Sequence, residues 1–158
     1  MKIIENYLQE SEDTKIIVKC VIKNHNNILL IRRAYDTPDA GFWDLPGGHV
    51  KEGEKEEEAV VREIKEEVGL NIEKPTSLKT IKINEIDCKI YTVKVKGPGL
   101  QVNLKPSNNN LDKFHWSHLP RPEHSEYHWV LYKDELERMP MKKELKDAIK
   151  SLLKGRKT

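Results

Sequence analysis

The segment from residue 45 to residue 70, LPGGHVKEGEKEEEAVVREIKEEVGL, constrains the fold more than any other part of the chain. When its residues are placed at about 100° each around a helix axis, the aliphatic side chains form one stripe and three glutamates lie on the flank of that stripe. The pattern predicts a helix over about 55–68, ended by Gly69 at the C′ position that favours glycine. The stripe comprises Val60, Val61, Ile64 and Val68.

The three flanking glutamates are Glu63, Glu66 and Glu67. Like charges three or four residues apart on a helix repel each other, so helix formation alone does not favour this arrangement. A bound cation would make the same arrangement favourable, because hard divalent ions such as Mg²⁺ prefer clustered carboxylate oxygens. The spacing therefore favours a metal site over a solvated acidic helix face.

The residues around these glutamates suit the same site. Arg62 is one turn from both Glu58 and Glu66, so it can pair with either and orient a carboxylate. Gly47 and Gly48 precede the helix, where a backbone without side chains can approach a metal or a phosphate.

The segment follows the pattern G-x5-E-x7-R-E-U-x-E-E-x-G-U, in which U is a bulky aliphatic residue, and it resembles the Nudix box at every specified position. The resemblance implies an α/β fold, namely a Nudix-type α/β/α sandwich with a mixed β-sheet and a loop–helix–loop catalytic box over residues 48–70. The matching residues are Gly48, Glu54, Arg62, Glu63, Ile64, Glu66, Glu67, Gly69 and Leu70.

The resemblance also implies an activity and a cofactor. Nudix hydrolases cleave the pyrophosphate linkage of a nucleoside diphosphate derivative by water attack at phosphorus, with Mg²⁺ or, in its place, Mn²⁺. Carried over to this chain, Arg62 orients Glu63, while Glu54 and Gly47 support the site from behind its ligands. The implied metal ligands are Glu63, Glu66, Glu67 and the carbonyl of Gly48.

The general base stays open, because the family uses either a box glutamate or a glutamate from a late loop. The candidates are Glu63 in the box and Glu123 or Glu126 in the segment RPEHSEYHW, and the late-loop pair is slightly favoured. Four histidines occupy the same region, but no cysteine joins them and their spacing fits no familiar zinc site. They are His115, His118, His124 and His128.

Substrate contacts are expected from residues before the box. Arg32 and Arg33 end a predicted strand near the expected cleft, where one of them can contact a phosphate or a base. Tyr35 and Trp43 are candidates for stacking on a nucleobase, as are Trp116 and Trp129. Trp43 and Trp129 also lie in strand-like runs, which favours a place in the core for both.

The remaining chain predicts a mixed sheet between helices, in one domain over residues 1–158. Alternating and β-branched runs predict strands, and apolar residues at helical spacing predict an amphipathic C-terminal helix over about 141–154. The predicted strands cover 15–23, 27–34, 42–45, 77–83, 87–97 and 126–132.

Composition restricts the setting and the partners. A net charge of +2 is too small to indicate nucleic-acid binding by bulk electrostatics. No apolar run approaches the roughly 20 residues that span a bilayer, residues 1–15 do not resemble a secretory signal, and two isolated cysteines suit a reducing compartment. We therefore expect a cytoplasmic protein and no membrane partner, while the resemblance to the Nudix family implies a small nucleotide substrate.

The sequence leaves the substrate open among nucleotide sugars, dinucleoside polyphosphates, nucleoside triphosphates and capped RNA ends. One alternative is an RNA 5′-end pyrophosphohydrolase that holds RNA with its basic C-terminal helix. Another is a Nudix-fold binding module without turnover, although such modules usually lose a box carboxylate and this chain has them all. Neither the subfamily nor the oligomeric state is indicated.

Overall fold

Seven strands pair into one mixed sheet in the computed structural model, which describes residues 16–34, 39–96, 102, 104, 124–131 and 135–154. Helices α1 (Glu56–Val68) and α2 (Lys143–Lys154) accompany the sheet, with a 3₁₀ turn at Leu136–Arg138. The strands are β1 Ile17–Asn24, β2 Asn27–Arg33, β3 Trp43–Asp44, β4 Gly47–His49, β5 Thr76–Ile83, β6 Ile86–Lys94 and β7 His124–Leu131.

The two helices cover opposite faces of the sheet. Successive side chains of a strand point to opposite faces, so each buried strand contributes to two apolar clusters. Val18, Cys20 and Ile22 of β1 pack in the cluster that includes α1, and Val21 packs in the cluster that includes α2. The expected α/β/α sandwich with a mixed sheet is confirmed. The helix residues in these clusters are Ala59, Val60, Ile64 and Val68 of α1 and Leu145 and Ile149 of α2.

The centre of the sheet is split. Strands β1 and β2 pair only next to their connecting turn, at Lys23 with Ile28 and Asn24 with Asn27, and then separate. Segment 43–49 fills the gap, with β3 antiparallel to β2 and β4 antiparallel to β1. On its other edge β1 runs parallel to β6, whereas the remaining strand pairs are antiparallel.

The split changes where the box begins. The resemblance implied that the box begins with a loop at Gly48, but the structure places Gly47 and Gly48 in strand β4, paired with Lys19 and Val18. A Cβ atom on Gly47 would lie 2.0 Å from the Val18 carbonyl oxygen. Glycine therefore permits an approach of two main chains that any side chain at position 47 would prevent.

The predicted helices are confirmed with small shifts. Helix α1 ends at Gly69, which has the left-handed conformation (φ 75°) expected of a C′ glycine. Lys55 precedes the first residue of the helix and makes no side-chain cap. The glutamates in the first turn instead interact favourably with the positive end of the helix dipole. Helix α2 begins at Lys143 because Met141 forms a bridge with Trp43. Neither helix is long and apolar enough to cross a bilayer.

Candidate metal-binding centre and the adjoining cavity

Two box glutamates contact the backbone of strand β4. The Gly47 N–H donates a hydrogen bond of 2.9 Å to Glu67 Oε1. A Cβ atom on Gly48 would lie 2.3 Å from Glu63 Cδ and 2.5 Å from each of its carboxylate oxygens, so this carboxylate rests directly on the glycine backbone. Burial of Val60 and Ile64 beneath the helix fixes the flank from which both glutamates reach the strand.

Arg62 donates hydrogen bonds to three glutamates of the box. Its Nη1 donates to Glu63 Oε1 at 2.8 Å and to Glu66 Oε2 at 3.1 Å. Its Nε and Nη2 donate to the two oxygens of Glu54 at 2.7 Å and 2.9 Å, and Nη2 also donates to the His49 carbonyl at 3.0 Å. The sequence left Glu58 or Glu66 as the partner one turn away, and the structure selects Glu66.

Glu54 holds Arg62 in a paired, two-bond geometry that is among the stronger charge-assisted arrangements. The hydrogen bonds from the Arg62 guanidinium lower the pKa of Glu54 to about 2, against the opposing effect of partial burial. The same contacts raise the pKa of Arg62. Both side chains are largely buried, with 14% of Glu54 and 20% of Arg62 exposed. Glu54 therefore fixes the arginine that positions Glu63 and Glu66.

The donor chemistry of this centre suits Mg²⁺ or Mn²⁺. Within the described ranges no three carboxylate, imidazole or thiolate side chains are arranged around a common point, because the box glutamates are turned toward Arg62 and the Gly47 N–H. Mg²⁺ usually takes one or two carboxylates and completes its shell with water and substrate phosphates, so it does not need a closed protein cage. Glu66 has 56% of its side chain exposed and has room to turn.

The residues predicted to contact substrate do not all lie together. Arg32 pairs with Glu126 across strands β2 and β7 at 3.1 Å, donates to the Gly41 carbonyl at 3.1 Å, and lies over the Trp43 ring at 5.8 Å from its centroid. Arg32 is thus held at the sheet surface by a carboxylate, a carbonyl and an aromatic face. Glu123 and Tyr35, predicted as base and stacking residue, lie outside the described residues.

The histidine cluster is only partly described. The ring of His128 lies 3.0 Å from Glu135 through Nε2, and its centroid is 6.3 Å from that of Trp43. His115, His118 and the side chain of His124 fall outside the described parts of the chain, as does Trp116. Trp129 packs against the α1-side core, as its strand-like context indicated.

A cavity of about 180 Å³ opens on the α2 side of the sheet split. Two predicted substrate residues, Arg33 and Trp43, line it, but Lys19 and Asp44 were missed. The available signal was the run KIIVKCVIK, in which Lys19 occupies the same strand face as Ile17 and Val21. A lysine on the inward face of a buried strand indicates a paired or functional charge. The charged and aromatic lining is Lys19, Arg33, Asp39, Phe42, Trp43, Asp44 and Lys142.

Comparison with curated proteins gives matches that cover only part of this chain. The chain is 30% identical over 74 residues to an 8-oxo-dGTP diphosphatase from Proteus vulgaris, covering 47% of this chain and 66% of that protein. It is 54% identical over 55 residues to an ADP-ribose pyrophosphatase from Methanocaldococcus jannaschii, covering 35% of this chain and 32% of that protein. The chain thus spans less than two thirds of the length of both relatives.

Comparison with solved structures covers nearly the whole fold. A MutT protein from Methanosarcina mazei Go1 superposes with a TM-score of 0.66 at 25% identity, covering 90% of this chain and 95% of that one. An Ap4A hydrolase from C. elegans superposes with a TM-score of 0.64 at 24% identity, covering 89% and 99%. A sequence model described as the NUDIX domain matches residues 13–152. Because that match takes in the split sheet, both helices and the glutamates held by Arg62, the chain belongs to the NUDIX family.

Proposed function

We propose that the protein is a divalent-metal-dependent hydrolase that cleaves the pyrophosphate linkage of a nucleoside diphosphate derivative by water attack at phosphorus. The observation that carries the proposal is the contact of Glu67 with the Gly47 N–H and of Glu63 with the Gly48 backbone. Arg62 in addition holds the carboxylates of Glu63 and Glu66. A diphosphate is already anionic, so a site built from glutamates alone would repel it.

Glu63, Glu66, Glu67 and the Gly48 carbonyl would hold the ion. A divalent ion at this place supplies charge neutralisation for the phosphates and lowers the pKa of bound water. Arg62 keeps the carboxylates of Glu63 and Glu66 close to each other, since both accept from its Nη1. The Gly47 N–H holds Glu67 at strand β4, and the three carboxylates would turn from these partners toward a bound ion.

Glu63 is the base we favour, with Glu126 and Glu123 as the other candidates from the sequence. Each of the two carboxylates accepts a hydrogen bond from an arginine, Glu126 from Arg32 at 3.1 Å and Glu63 from Arg62 at 2.8 Å, so the position of the carboxylate is the argument that separates them. Glu63 already lies against Gly48, beside the other proposed ligands. A general base must reach its proton within hydrogen-bonding distance, directly or through one water, and Glu63 is placed to meet that condition.

The cavity supports a nucleotide as substrate. Its aromatic wall at Trp43 suits a flat ring, and its volume of about 180 Å³ is below the roughly 300–1,000 Å³ that accommodates a whole drug-sized ligand. One nucleobase is therefore a better match than a complete nucleotide, whose phosphates would lie at Gly48. The relatives described above act, according to their names, on 8-oxo-dGTP and ADP-ribose, and both compounds contain a purine nucleotide.

RNA and pure binding are less favoured. Lys146 donates to the Glu137 carbonyl, Lys150 pairs with the Glu137 carboxylate, and Lys142 pairs with Asp39. Contacts within the protein thus occupy part of the basic C-terminal helix that the RNA alternative needs. A single domain over residues 1–158 and a cytoplasmic location stay predictions from the sequence.

The deciding experiment separates and quantifies the nucleotide products by chromatography, with Mg²⁺, Mn²⁺ or EDTA, because ADP-ribose and diadenosine tetraphosphate release neither phosphate nor pyrophosphate on hydrolysis. The substrates are the nucleoside triphosphates, ADP-ribose, diadenosine tetraphosphate and a short 5′-triphosphate RNA. Glu67→Gln is compared with Glu58→Gln, an exposed glutamate on the same helix. Metal-dependent turnover that is lost only in Glu67→Gln supports the proposal, whereas equal inactivity of all three proteins on every substrate would support the binding module.

A further inference from the structure

Lys19 is the charged group at the inner wall of the cavity. Its Nζ donates to Asp44 Oδ2 at 2.9 Å and to the Leu45 carbonyl at 3.3 Å, and only 14% of its side chain is exposed. Burial disfavours the ammonium form, but the charge and hydrogen bond of Asp44 outweigh that effect and raise the pKa of Lys19. Lys19 is therefore a permanently charged, fixed donor at neutral pH.

Within the described parts of the chain, two protein acceptors take N–H bonds of Lys19, which leaves one donor for a ligand. An ammonium group has three N–H bonds, and two of them point to Asp44 and Leu45. The other oxygen of Asp44 accepts the Leu45 N–H at 2.8 Å, so its carboxylate is engaged on both oxygens. A group that enters the cavity thus meets a lysine that can still donate and a carboxylate whose oxygens are already in use.

The rest of the lining gives the cavity a preference for acceptors. Lys142 pairs with Asp39 at 3.3 Å, which leaves both acidic groups of the lining matched by a cation. Arg33 adds a guanidinium to the same wall, and Phe42 and Trp43 supply flat apolar surface. The cavity therefore suits a flat ring that carries an acceptor oxygen on its edge.

The cavity and the carboxylate cluster are close enough for one nucleotide. Asp44 and Gly47 are three residues apart on one segment, which can span at most about 10 Å. Lys19 pairs with Gly47 in the β1–β4 register, and the Gly47 N–H donates to Glu67. The charge of Glu67 also acts on Lys19, so a base at Lys19 and a phosphate at Glu67 and Gly48 would lie near the two ends of one short stretch of strand.

We propose that Lys19, held by Asp44, determines which nucleobase the site accepts, by donating its remaining N–H to a ring carbonyl oxygen such as O6 of guanine. Lysine reads the O6 and N7 acceptors of guanine in nucleic acids for the same reason, and adenine presents an amino donor where guanine has O6. Oxidised guanine retains O6, so this contact would accept it as well. The inference rests on the proposed function, because it requires a nucleotide substrate.

The test compares kcat/KM for GTP and ATP in the wild type and in Lys19→Met, which keeps the length of the side chain and removes its donors. We expect the wild type to prefer GTP by about 10- to 100-fold. In Lys19→Met the kcat/KM for GTP should fall while that for ATP stays nearly unchanged, so that most of the preference is lost. Lys89→Met is the matched control. Lys89, like Lys19, is a strand lysine paired with a carboxylate, but its partner Glu56 lies on the α1 side of the sheet. This variant should keep the wild-type ratio.

A second readout does not depend on turnover. Binding of GMP and AMP is measured by calorimetry in EDTA, where the wild type should prefer GMP and Lys19→Met should not. If the single variant fails to fold, the double variant Lys19→Met with Asp44→Asn removes both charges and leaves no lone buried carboxylate. The double variant should likewise lose the preference.

Different results would overturn the role of Lys19 and the proposed hydrolase activity. Metal-dependent turnover with no base preference in the wild type, or a folded Lys19→Met with an unchanged ratio in both assays, overturns the role of Lys19 and leaves the hydrolase standing. Absence of turnover on every nucleotide overturns the hydrolase. In that case the GMP and AMP binding data alone decide whether Lys19 selects the base.

Discussion

The carboxylate of Glu63 lies where a side chain on residue 48 would begin, since a Cβ atom on Gly48 would be 2.3 Å from Glu63 Cδ. The neighbouring Gly47 is restricted differently, because its Cβ would meet the main chain of Val18 at 2.0 Å. One glycine thus makes room for a functional side chain and the other for the sheet itself.

Alanine at the two glycines should separate function from stability. Gly48→Ala displaces only the flexible end of Glu63, so we expect a folded protein whose turnover falls by about 10- to 100-fold and whose Mg²⁺ requirement rises. Gly47→Ala forces two strands apart, and we expect the free energy of unfolding to fall by about 1–3 kcal/mol. Urea unfolding and Mg²⁺ titrations of activity measure both effects. An unchanged Mg²⁺ requirement in Gly48→Ala would contradict the proposed place of Glu63.

The general base can be separated from the metal ligands by the shape of the Mg²⁺ titration. Replacing a base by glutamine should lower kcat on the order of 100- to 10,000-fold at saturating Mg²⁺, without moving the midpoint of the titration. Replacing a ligand should move the midpoint. We expect Glu67→Gln to move it, Glu63→Gln to change both quantities, and Glu126→Gln to change neither by more than about tenfold. A large kcat loss at Glu126 or Glu123 with a fixed midpoint would transfer the role of base to that residue.

The Glu54–Arg62 pair should contribute stability that depends on pH. The pKa of Glu54 is lowered in the folded state from its usual 4.5 to about 2. A lowered pKa stabilises the fold fully above about pH 4.5, and that contribution is lost as the pH falls toward 2. The stability difference between wild type and Glu54→Gln should therefore shrink over this range, as measured by urea unfolding in EDTA. Glu58→Gln, which replaces an exposed glutamate of the same helix, is the matched control.

The two cysteines should be inert in the folded protein. Cys20 and Cys88 are free and buried, and burial raises their pKa values to about 12 and about 11. Because the thiolate is the reactive form, labelling by a disulfide reagent at pH 8 should be slow until the protein unfolds. In guanidinium both should react at once. Rapid labelling of the native protein would show that the sheet opens far more often than its packing indicates.

The box was predictable because its information is local. The aliphatic stripe and Gly69 lie within one helix, and the spacing of the glutamates is set by the same geometry, so no tertiary contact is needed to place them. Lys19 and Asp44 were not predictable in this way. They are 25 positions apart and meet only because β1 and β2 separate and segment 43–49 enters the gap. Nothing in the residues next to Lys19 specifies that register.

The strand that carries the two glycines has a consequence for how the protein opens. Strand β4 is hydrogen-bonded to the central strand β1, and the bonds from Cys20 N to the Pro46 carbonyl and from Val50 N to the Ile16 carbonyl continue that ladder on both sides. Amide hydrogen exchange at Cys20 and Val50, whose bonds flank the two glycines, should accordingly be as slow as in the sheet core, since these groups belong to its most cooperative unit. The metal-binding geometry would then persist up to global unfolding, and heat inactivation and loss of the fold would coincide.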